Sequence, residues 1–276
     1  MKFDVCLEMV FTDLAPEERV SKIAAAGFDC VELWFHDATF DGSTCSTALA
    51  KDPGAIRQAC TASRVTVNNM VVNAPDGSFG GSPVDPNDHG KYVERLHEVI
   101  EYSRRIDCRA AITCTGNVVA GASRSVMRAS AEKAFSRAAE IAEKEGYSLF
   151  LEPLNTRVDH AGYFLDSSRE AAEIVRAIGS PSFKLLYDVY HMRVMECDVI
   201  RDVEGDASVI GHFHAAGVPG RHELDGGVLD YVAVIRAIKS SGYAGAFGLE
   251  YSPAIADHSA SLASMRAYLS RAVQAA

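Results

Sequence analysis

The sequence predicts an α/β fold, a single (β/α)₈ TIM barrel domain spanning residues 1–276. Eight strand-like apolar runs alternate with eight helix-like segments, and such alternation implies parallel strands joined by right-handed crossovers. The length of 276 residues suits such a barrel, which typically needs about 250. Two smaller domains are the alternative by length. An open doubly wound sheet is the alternative by pattern, but the G-x-G-x-x-G turn that usually follows its first strand is missing from the sequence.

The elements follow in order along the chain. The strand-like runs cover 3–9, 30–35, 66–73, 110–115, 148–153, 184–189, 210–215 and 246–251. Helices are predicted at 16–27, 52–63, 88–106, 123–146, 167–179, 194–203, 231–242 and 259–273. The first helix has a Pro start and a Gly stop, and Ser167 with Glu170 forms a capping-box pattern. The Gly- and Pro-rich stretch 74–90 follows the third strand and is either a disordered insertion or a mobile loop covering the substrate.

Composition excludes several classes of partner. The net charge is −10 and no block of Lys or Arg offers a footprint for phosphate backbones, so we expect no nucleic-acid binding. No apolar run approaches the roughly 20 residues that span a membrane, and the N-terminus is interpreted as a strand and not as a signal peptide. Seven cysteines without a C-x-x-C pair, Cys45 among them, indicate reduced thiols in a cytoplasmic protein. Oligomeric state is left open, with a homo-oligomer among the outcomes.

Four apolar runs in the second half of the chain each end on a side chain that can bind a metal ion. These residues are Glu152, Asp188, His214 and Glu250, which lie 36, 26 and 36 residues apart. Because that spacing accommodates a strand, a helix and two loops, successive parallel strands would deliver all four to the same end of the barrel. Three converging carboxylates repel one another unless a cation lies between them. This oxygen-rich set predicts one divalent ion, Mn²⁺ or Mg²⁺ before Co²⁺.

A cation flanked by two carboxylates suits a 1,2-proton transfer on a hydroxy-carbonyl compound. The metal would bind the carbonyl and hydroxyl oxygens and stabilise an enediolate. Glu152 and Glu250 are the predicted catalytic pair, one removing the α-proton and the other returning a proton.

Further residues near the strand ends are candidates for binding substrate. His191 lies three residues past Asp188, and Arg221 follows the seventh strand, where a surface ion pair with Glu223 is its alternative role. Asn73 ends the third strand and is a weaker candidate.

Other side chains have competing roles. If the seventh strand is regular, we expect His212 and His214 to point to opposite sides, with His214 as the ligand and His212 structural. Trp34 and Phe35 either wall the pocket or pack in the core.

At these residues the chain resembles the hydroxypyruvate isomerase family, one of the xylose isomerase-like barrels that also include the tagatose 3-epimerase type. The similarity is strongest at LEPLNTRVDHAGYFLDSS (151–168), KLLYDVYHMRVMECDVI (184–200), IGHFHAAGVPGRHE (210–223) and GYAGAFGLEY (242–251). The resemblance implies the same four metal ligands and the same proton-transfer pair, with His191 and Arg221 as substrate contacts. Two departures leave the substrate open: His214 stands where the family usually has Gln, and LDGGV (224–228) replaces the usual P-G-T-G-E.

The predicted function is therefore a metal-dependent isomerase for a small unphosphorylated hydroxy-aldehyde or hydroxy-ketone. The alternative in the same class is a ketose 3-epimerase. A metal-dependent phosphodiesterase resembling the DNA-repair endonucleases of this superfamily would need extra His ligands and a basic groove. A barrel used only for binding is the remaining alternative, and the intact ligand set argues against it.

Overall fold

The computed structural model describes residues 1–40, 45–46 and 50–276. The side chain of Cys45, one of the predicted reduced thiols, lies outside the described part of the chain. The other six cysteines are free thiols, and all but Cys197 are buried.

Eight parallel strands form a nearly closed barrel. In chain order, barrel strands 1 to 8 are Lys2–Val5, Cys30–Trp34, Thr66–Val71, Ala110–Thr113, Ser148–Leu151, Phe183–Asp188, Ile210–Ala215 and Ala246–Leu249. Strand 1 pairs in parallel with strand 8, and a single parallel bridge from Cys6 to Glu32 joins the first two strands. The predicted barrel is confirmed, and the open sheet is wrong because the first and last strands are neighbours.

Helices cover the outside of the barrel. Their bounds are Pro16–Ala25, Pro53–Ser63, His89–Arg105, Arg124–Glu145, Ser168–Ile178, Val189–Val194, Val199–Asp206, Tyr231–Ser240 and His258–Ala275. Short 3₁₀ turns lie at Leu7–Met9, Pro86–Asp88 and Leu224–Gly226, and Thr39–Phe40 pairs antiparallel with Cys45–Ser46. Within the described residues, no helix combines the length and the hydrophobicity needed to cross a bilayer.

Local chemistry sets the helix ends. Asp52 and Ser167 accept hydrogen bonds from the backbone amides of Ala55 and Glu170, which satisfies N–H groups that have no partner within the helix. Gly146 and Gly179 end their helices in the left-handed conformation, where a glycine has no Cβ penalty. Buried apolar side chains on the inner faces then pack against the strands to form the core.

Two predicted elements differ from the structure. The run 3–9 is a strand only to Val5, after which the chain turns through Leu7–Met9. The short helix predicted at 194–203 is present but begins later, at Val199, because the Asp198 side chain caps it there, and a separate helix ends at Val194. The earlier helix starts directly at the sixth strand because the Asp188 carboxylate accepts from the amides of Tyr190 and His191.

The stretch 74–90 is folded onto the barrel. Ala74 N donates to Phe79 O at 2.9 Å, and Val84 N donates to Thr115 O at 3.1 Å. The Phe79 ring lies 5.2 Å from that of His36, beyond the second strand. The loop therefore lies at the carboxyl end of the barrel, and its mobility stays a prediction.

Candidate active site

The four predicted metal ligands meet at the carboxyl ends of adjacent strands. Glu152 and Glu250 follow strands 5 and 8 directly, Asp188 ends strand 6, and His214 lies near the end of strand 7. One ligand atom from each lies within 4.8 Å of the others. Relative exposures are 6% for Glu152, 1% for Asp188, 1% for His214 and 7% for Glu250. The spacing along the chain thus corresponds to one buried cluster.

The donor set of this cluster fits a divalent cation. His214 Nδ1 lies 3.5 Å from Glu152 Oε1 and 3.6 Å from Glu250 Oε2. Both Nδ1 of His214 and Oε1 of Glu152 are buried without a hydrogen-bond partner among the described residues. Because burying an unsatisfied polar atom is costly, these two atoms are candidates for contact with a bound ion. Three carboxylates and one imidazole form a donor set that could hold a divalent metal ion.

The two glutamates have different electrostatic surroundings. Burial raises the pKa of Glu152, although His214 opposes the rise. Burial also acts to raise the pKa of Glu250, but the Arg221 guanidinium and His214 outweigh it and lower that pKa to about 2. The pKa of Asp188 rises to about 7 through burial and the nearby Glu152 carboxylate. Burial and mutual repulsion therefore disfavour the ionised forms of Glu152 and Asp188, whereas Arg221 and His214 favour the ionised form of Glu250.

Arg221 is part of this site and not of the surface. Its Nη2 donates to Glu250 Oε2 at 2.5 Å and its Nε donates to the Glu250 backbone oxygen at 3.2 Å. The guanidinium carbon lies 5.8 Å from the Phe40 ring and 5.4 Å from the Tyr190 ring. The alternative pairing of Arg221 with Glu223 is wrong, since the Glu223 carboxylate accepts from Ser261 and two backbone amides instead.

The backbone of Arg221 is itself unusual. Its φ is +58°, a left-handed conformation that costs energy for a residue with a side chain. The surrounding loop holds this conformation, and the guanidinium is fixed beside Glu250 as a result.

His191 lies beside the cluster and is fully buried. Its Nε2 is 3.6 Å from Asp188 Oδ2, and its Nδ1 faces the side-chain amide of Asn155 at 2.6 Å. Burial and the positive charge of Arg221 lower the pKa of His191 well below its ordinary value. The ring is therefore neutral, and its contact with substrate stays a prediction.

Asn73 has little capacity left for a substrate. Its Oδ1 accepts from Thr113 Oγ1 at 3.2 Å and from Cys114 N at 3.0 Å. Its Nδ2 donates to the backbone oxygens of Gly81 and Cys114, each at 3.0 Å. This geometry favours a role in holding the 74–90 loop against strand 4, and the predicted substrate contact remains without support.

The expectation that His212 and His214 point to opposite sides is wrong. Residues two apart in a strand share a face, and both rings lie inside the barrel with centroids 4.9 Å apart. Glu32 joins them, with Oε1 at 2.9 Å from His214 Nε2 and Oε2 at 3.2 Å from His212 Nε2. His212 also stacks on Phe150 at 5.7 Å, which supports the structural role expected for it.

Sequence reasoning missed Glu32 and Asn155. Glu32 lies in barrel strand 2, so the strand pattern that found the four ligands could have found it as well. Its pKa falls to about 2, because His214 and His212 outweigh the effect of burial. Asn155 lies in an irregular loop, and no sequence pattern marks its contact with His191.

Trp34 lines a small cavity together with His214 and Glu250. It therefore borders the site, which agrees with the prediction that it walls the pocket.

Curated relatives identify the class of this protein. The chain is 30% identical to the 2-oxo-tetronate isomerase of Cupriavidus necator over 274 residues, which cover 98% of this chain and 99% of the relative. It is 26% identical to the hydroxypyruvate isomerase of Escherichia coli K12 over 257 residues, covering 92% and 94% of the two chains. The barrel and its relatives make this chain an enzyme of the isomerase or epimerase class.

The family follows from a match along most of the sequence. Residues 20–268 match the model of the xylose isomerase-like TIM barrel, and the chain belongs to this family. The resemblance stated from the sequence is confirmed.

Solved structures show the same fold. A structure described as an AP endonuclease, family 2, from Brucella melitensis has a TM-score of 0.83 at 27% identity, covering 97% of this chain and 98% of that one. D-psicose 3-epimerase in the presence of D-fructose has a TM-score of 0.80 at 16% identity, covering 99% of each chain. The second similarity, at that identity, concerns the fold alone.

Proposed function

We propose that this protein is a divalent metal-dependent isomerase that interconverts a small unphosphorylated hydroxy-aldehyde and hydroxy-ketone through an enediolate. The observation that carries the proposal is the buried cluster of Glu152, Asp188, His214 and Glu250 within 4.8 Å. We further propose that these four residues hold one ion, Mn²⁺ or Mg²⁺ before Co²⁺. When bound, that ion would supply positive charge to the substrate oxygens on which charge develops.

The proton transfer itself falls to the two glutamates. Glu152 and Glu250 reach the cluster from strands 5 and 8, on either side of the ligands from strands 6 and 7. One carboxylate would take the proton from the substrate α-carbon, and the other would deliver a proton to the neighbouring carbon. Arg221 holds Glu250 in place through two hydrogen bonds, and a substrate carboxylate or hydroxyl would meet the same guanidinium.

The relatives suggest substrates. Their names point to hydroxypyruvate and 2-oxo-tetronate, both small α-keto acids, and Arg221 is a buried cation beside the cluster that suits a carboxylate. A ketose 3-epimerase is the second candidate. His214 supports it, because this residue replaces the Gln usual in the hydroxypyruvate isomerase type.

A hydrolytic function has less support. The Brucella melitensis structure is described as an endonuclease, but a chain with a net charge of −10 repels a phosphate backbone. In the second acidic and histidine group, the Glu32 carboxylate lies 2.9 Å from His214 Nε2 and 3.2 Å from His212 Nε2.

Solvent proton exchange tests the proposal. Purified protein with Mg²⁺ would be incubated in D₂O with hydroxypyruvate, 2-oxo-tetronate and a ketohexose in separate samples, and NMR would follow deuterium at the substrate carbons. We expect exchange and isomer formation with an α-keto acid. Glu152→Gln and Glu250→Gln should each lower the rate at least about 10²-fold, whereas Glu204→Gln, on an exposed helix position, should not.

The same experiment separates the candidates. Exchange at C3 of the ketohexose alone would favour the epimerase. Isomerisation without any deuterium incorporation would favour an internal hydride shift and would overturn the role of the glutamates. Nicking of abasic DNA in place of exchange would favour the phosphodiesterase.

Three wider properties also stay proposals. We propose that residues 1–276 form one domain and that the free thiols of six cysteines belong to a cytoplasmic protein. We also propose a homo-oligomer as one possible oligomeric state, and analytical ultracentrifugation would measure that state.

A further inference from the structure

The side chain of Asn155 lies between His191 and Asp159, in the loop that follows strand 5. Its Nδ2 is 2.6 Å from His191 Nδ1 and 2.5 Å from Asp159 Oδ2. Asn155 is fully buried, so solvent does not compete for these contacts. None of the roles assigned above uses this residue.

The orientation of the amide follows from its own contacts. The backbone amides of Val158 and Asp159 both lie 3.0 Å from the Asn155 atom assigned as Oδ1. Backbone N–H groups only donate, so this atom has to be the oxygen. The other atom is therefore the NH₂ group, which donates to the Asp159 carboxylate and to His191 Nδ1.

The contact to His191 fixes the position of the ring proton. The backbone N–H of Asn155 also points at Nδ1, at 3.4 Å, so two donors converge on this nitrogen. Nδ1 has to accept, and a neutral imidazole then carries its hydrogen on Nε2. That Nε2 is buried without a hydrogen-bond partner among the described residues and lies 3.6 Å from Asp188 Oδ2.

We propose that Asn155 is a positioning residue that holds His191 in the Nε2–H tautomer, so that the ring presents a hydrogen-bond donor to a substrate oxygen at the cluster. This inference rests on the proposed function. The opposite tautomer would direct a lone pair at Asp188 and at any oxygen gaining negative charge, and both contacts would be repulsive. Asp159 stabilises the arrangement, since it accepts from Asn155 and, at 2.8 Å, from the Tyr190 hydroxyl.

Exchanging the side chains of Asn155 and Asp159 isolates the effect of the amide donor on the His191 tautomer. Asn155→Asp keeps an oxygen for the amides of Val158 and Asp159 but replaces the donor to His191 with an acceptor. Alone, it would also place two carboxylates in contact. The double variant N155D/D159N restores a hydrogen bond between positions 155 and 159, while the closer donor to Nδ1, the side-chain NH₂ at 2.6 Å, stays lost and an acceptor takes its place. Asp159→Asn is the matched control, since it changes the same contact and keeps Asn155.

The first measurement is the tautomer itself. Protein labelled with ¹⁵N-histidine and loaded with Mg²⁺ would give ring nitrogen signals, and His191→Gln would assign them among the nine histidines. We expect an unprotonated Nδ1 and a protonated Nε2 in wild type and in Asp159→Asn. In N155D/D159N, Nδ1 should carry the proton. A protonated Nδ1 in wild type would overturn the inference without any variant, and so would an unprotonated Nδ1 in the double variant.

The second measurement is function. N155D/D159N should lose about 10- to 100-fold in kcat/KM, the size expected for one hydrogen bond to a developing charge, with Mn²⁺ content equal to wild type. Asp159→Asn should change kcat/KM much less. A switched tautomer with unchanged kcat/KM would overturn the positioning role. If wild type turns over no hydroxy-carbonyl compound although the tautomer switches as expected, the proposed function fails and the tautomer assignment stands.

Discussion

Gly248 gives a sharp test of how the proposed metal ligands are packed. It lies in strand 8 between Asp4 on strand 1 and His214 on strand 7. A Cβ at this position would lie 2.8 Å from Asp4 Oδ1, 2.8 Å from His214 Cδ2 and 2.9 Å from Glu32 Oε1. Because these three side chains are buried at 0%, 1% and 2% exposure, they have little room to move away. Gly248→Ala should therefore overpack the barrel interior and displace the His214 ring.

The magnitude follows from two opposing effects. Overpacking a closed interior costs about 1–3 kcal/mol, and replacing Gly with Ala regains roughly 0.4–1 kcal/mol by restricting the unfolded chain. We expect a net loss of about 1–2 kcal/mol in the free energy of unfolding and a fall in Tm of roughly 2–8 °C. Moving the His214 ring, a proposed metal ligand, should also weaken Mn²⁺ binding by about 10-fold or more.

Urea unfolding of chelator-treated protein, followed by circular dichroism, would measure the stability, and calorimetric titration would measure Mn²⁺ affinity. Gly205→Ala is the matched control, since nothing lies within 4 Å of a Cβ at that helical position. There the same substitution should stabilise by roughly 0.5–1 kcal/mol and leave Mn²⁺ affinity unchanged. A Gly248→Ala protein as stable as wild type, with unaltered Mn²⁺ affinity, would refute the packing argument.

Three further predictions follow from the same region. Asp188→Asn should keep its helix cap, because its Oδ1 can still accept from Tyr190 and His191, so metal analysis should show Mn²⁺ loss with an unchanged Tm. Arg221→Lys should lower kcat/KM by about 10-fold or more, since a point charge replaces two directed hydrogen bonds, and equal kinetics would contradict this. Burial, then the charge of Glu32, raises the pKa of Asp4 from 3.8 to about 7, so the native state keeps a proton that the unfolded chain releases. The free energy of unfolding of metal-free protein should thus decrease as the pH rises from about 4 to about 7. Asp4→Asn should remove that part of the pH dependence in urea midpoints, and an identical pH profile would refute it.

The sequence by itself determined the barrel and the meeting of Glu152, Asp188, His214 and Glu250. Both follow from chain order: the runs alternate with helices, and the carboxyl ends of parallel strands lie at one end of a barrel. Side-chain alternation was available too, since His212 and His214 are two residues apart in one strand and have to share a face. The expectation that they point to opposite sides was wrong because the two-residue period of a strand was applied incorrectly, although the sequence contained the information needed.

Only the tertiary structure decided which groups surround the four ligands. Glu32 contacts His214 across 182 positions of the chain, and Arg221 turns back onto Glu250 because its backbone adopts φ +58°. Asn155 reaches His191 from a loop without a regular repeat. Such contacts depend on loop conformation and on packing inside the closed barrel, neither of which has a periodic pattern in the sequence. The ligand quartet could therefore be predicted from strand spacing, whereas the hydrogen bonds that orient it became visible only in the folded chain.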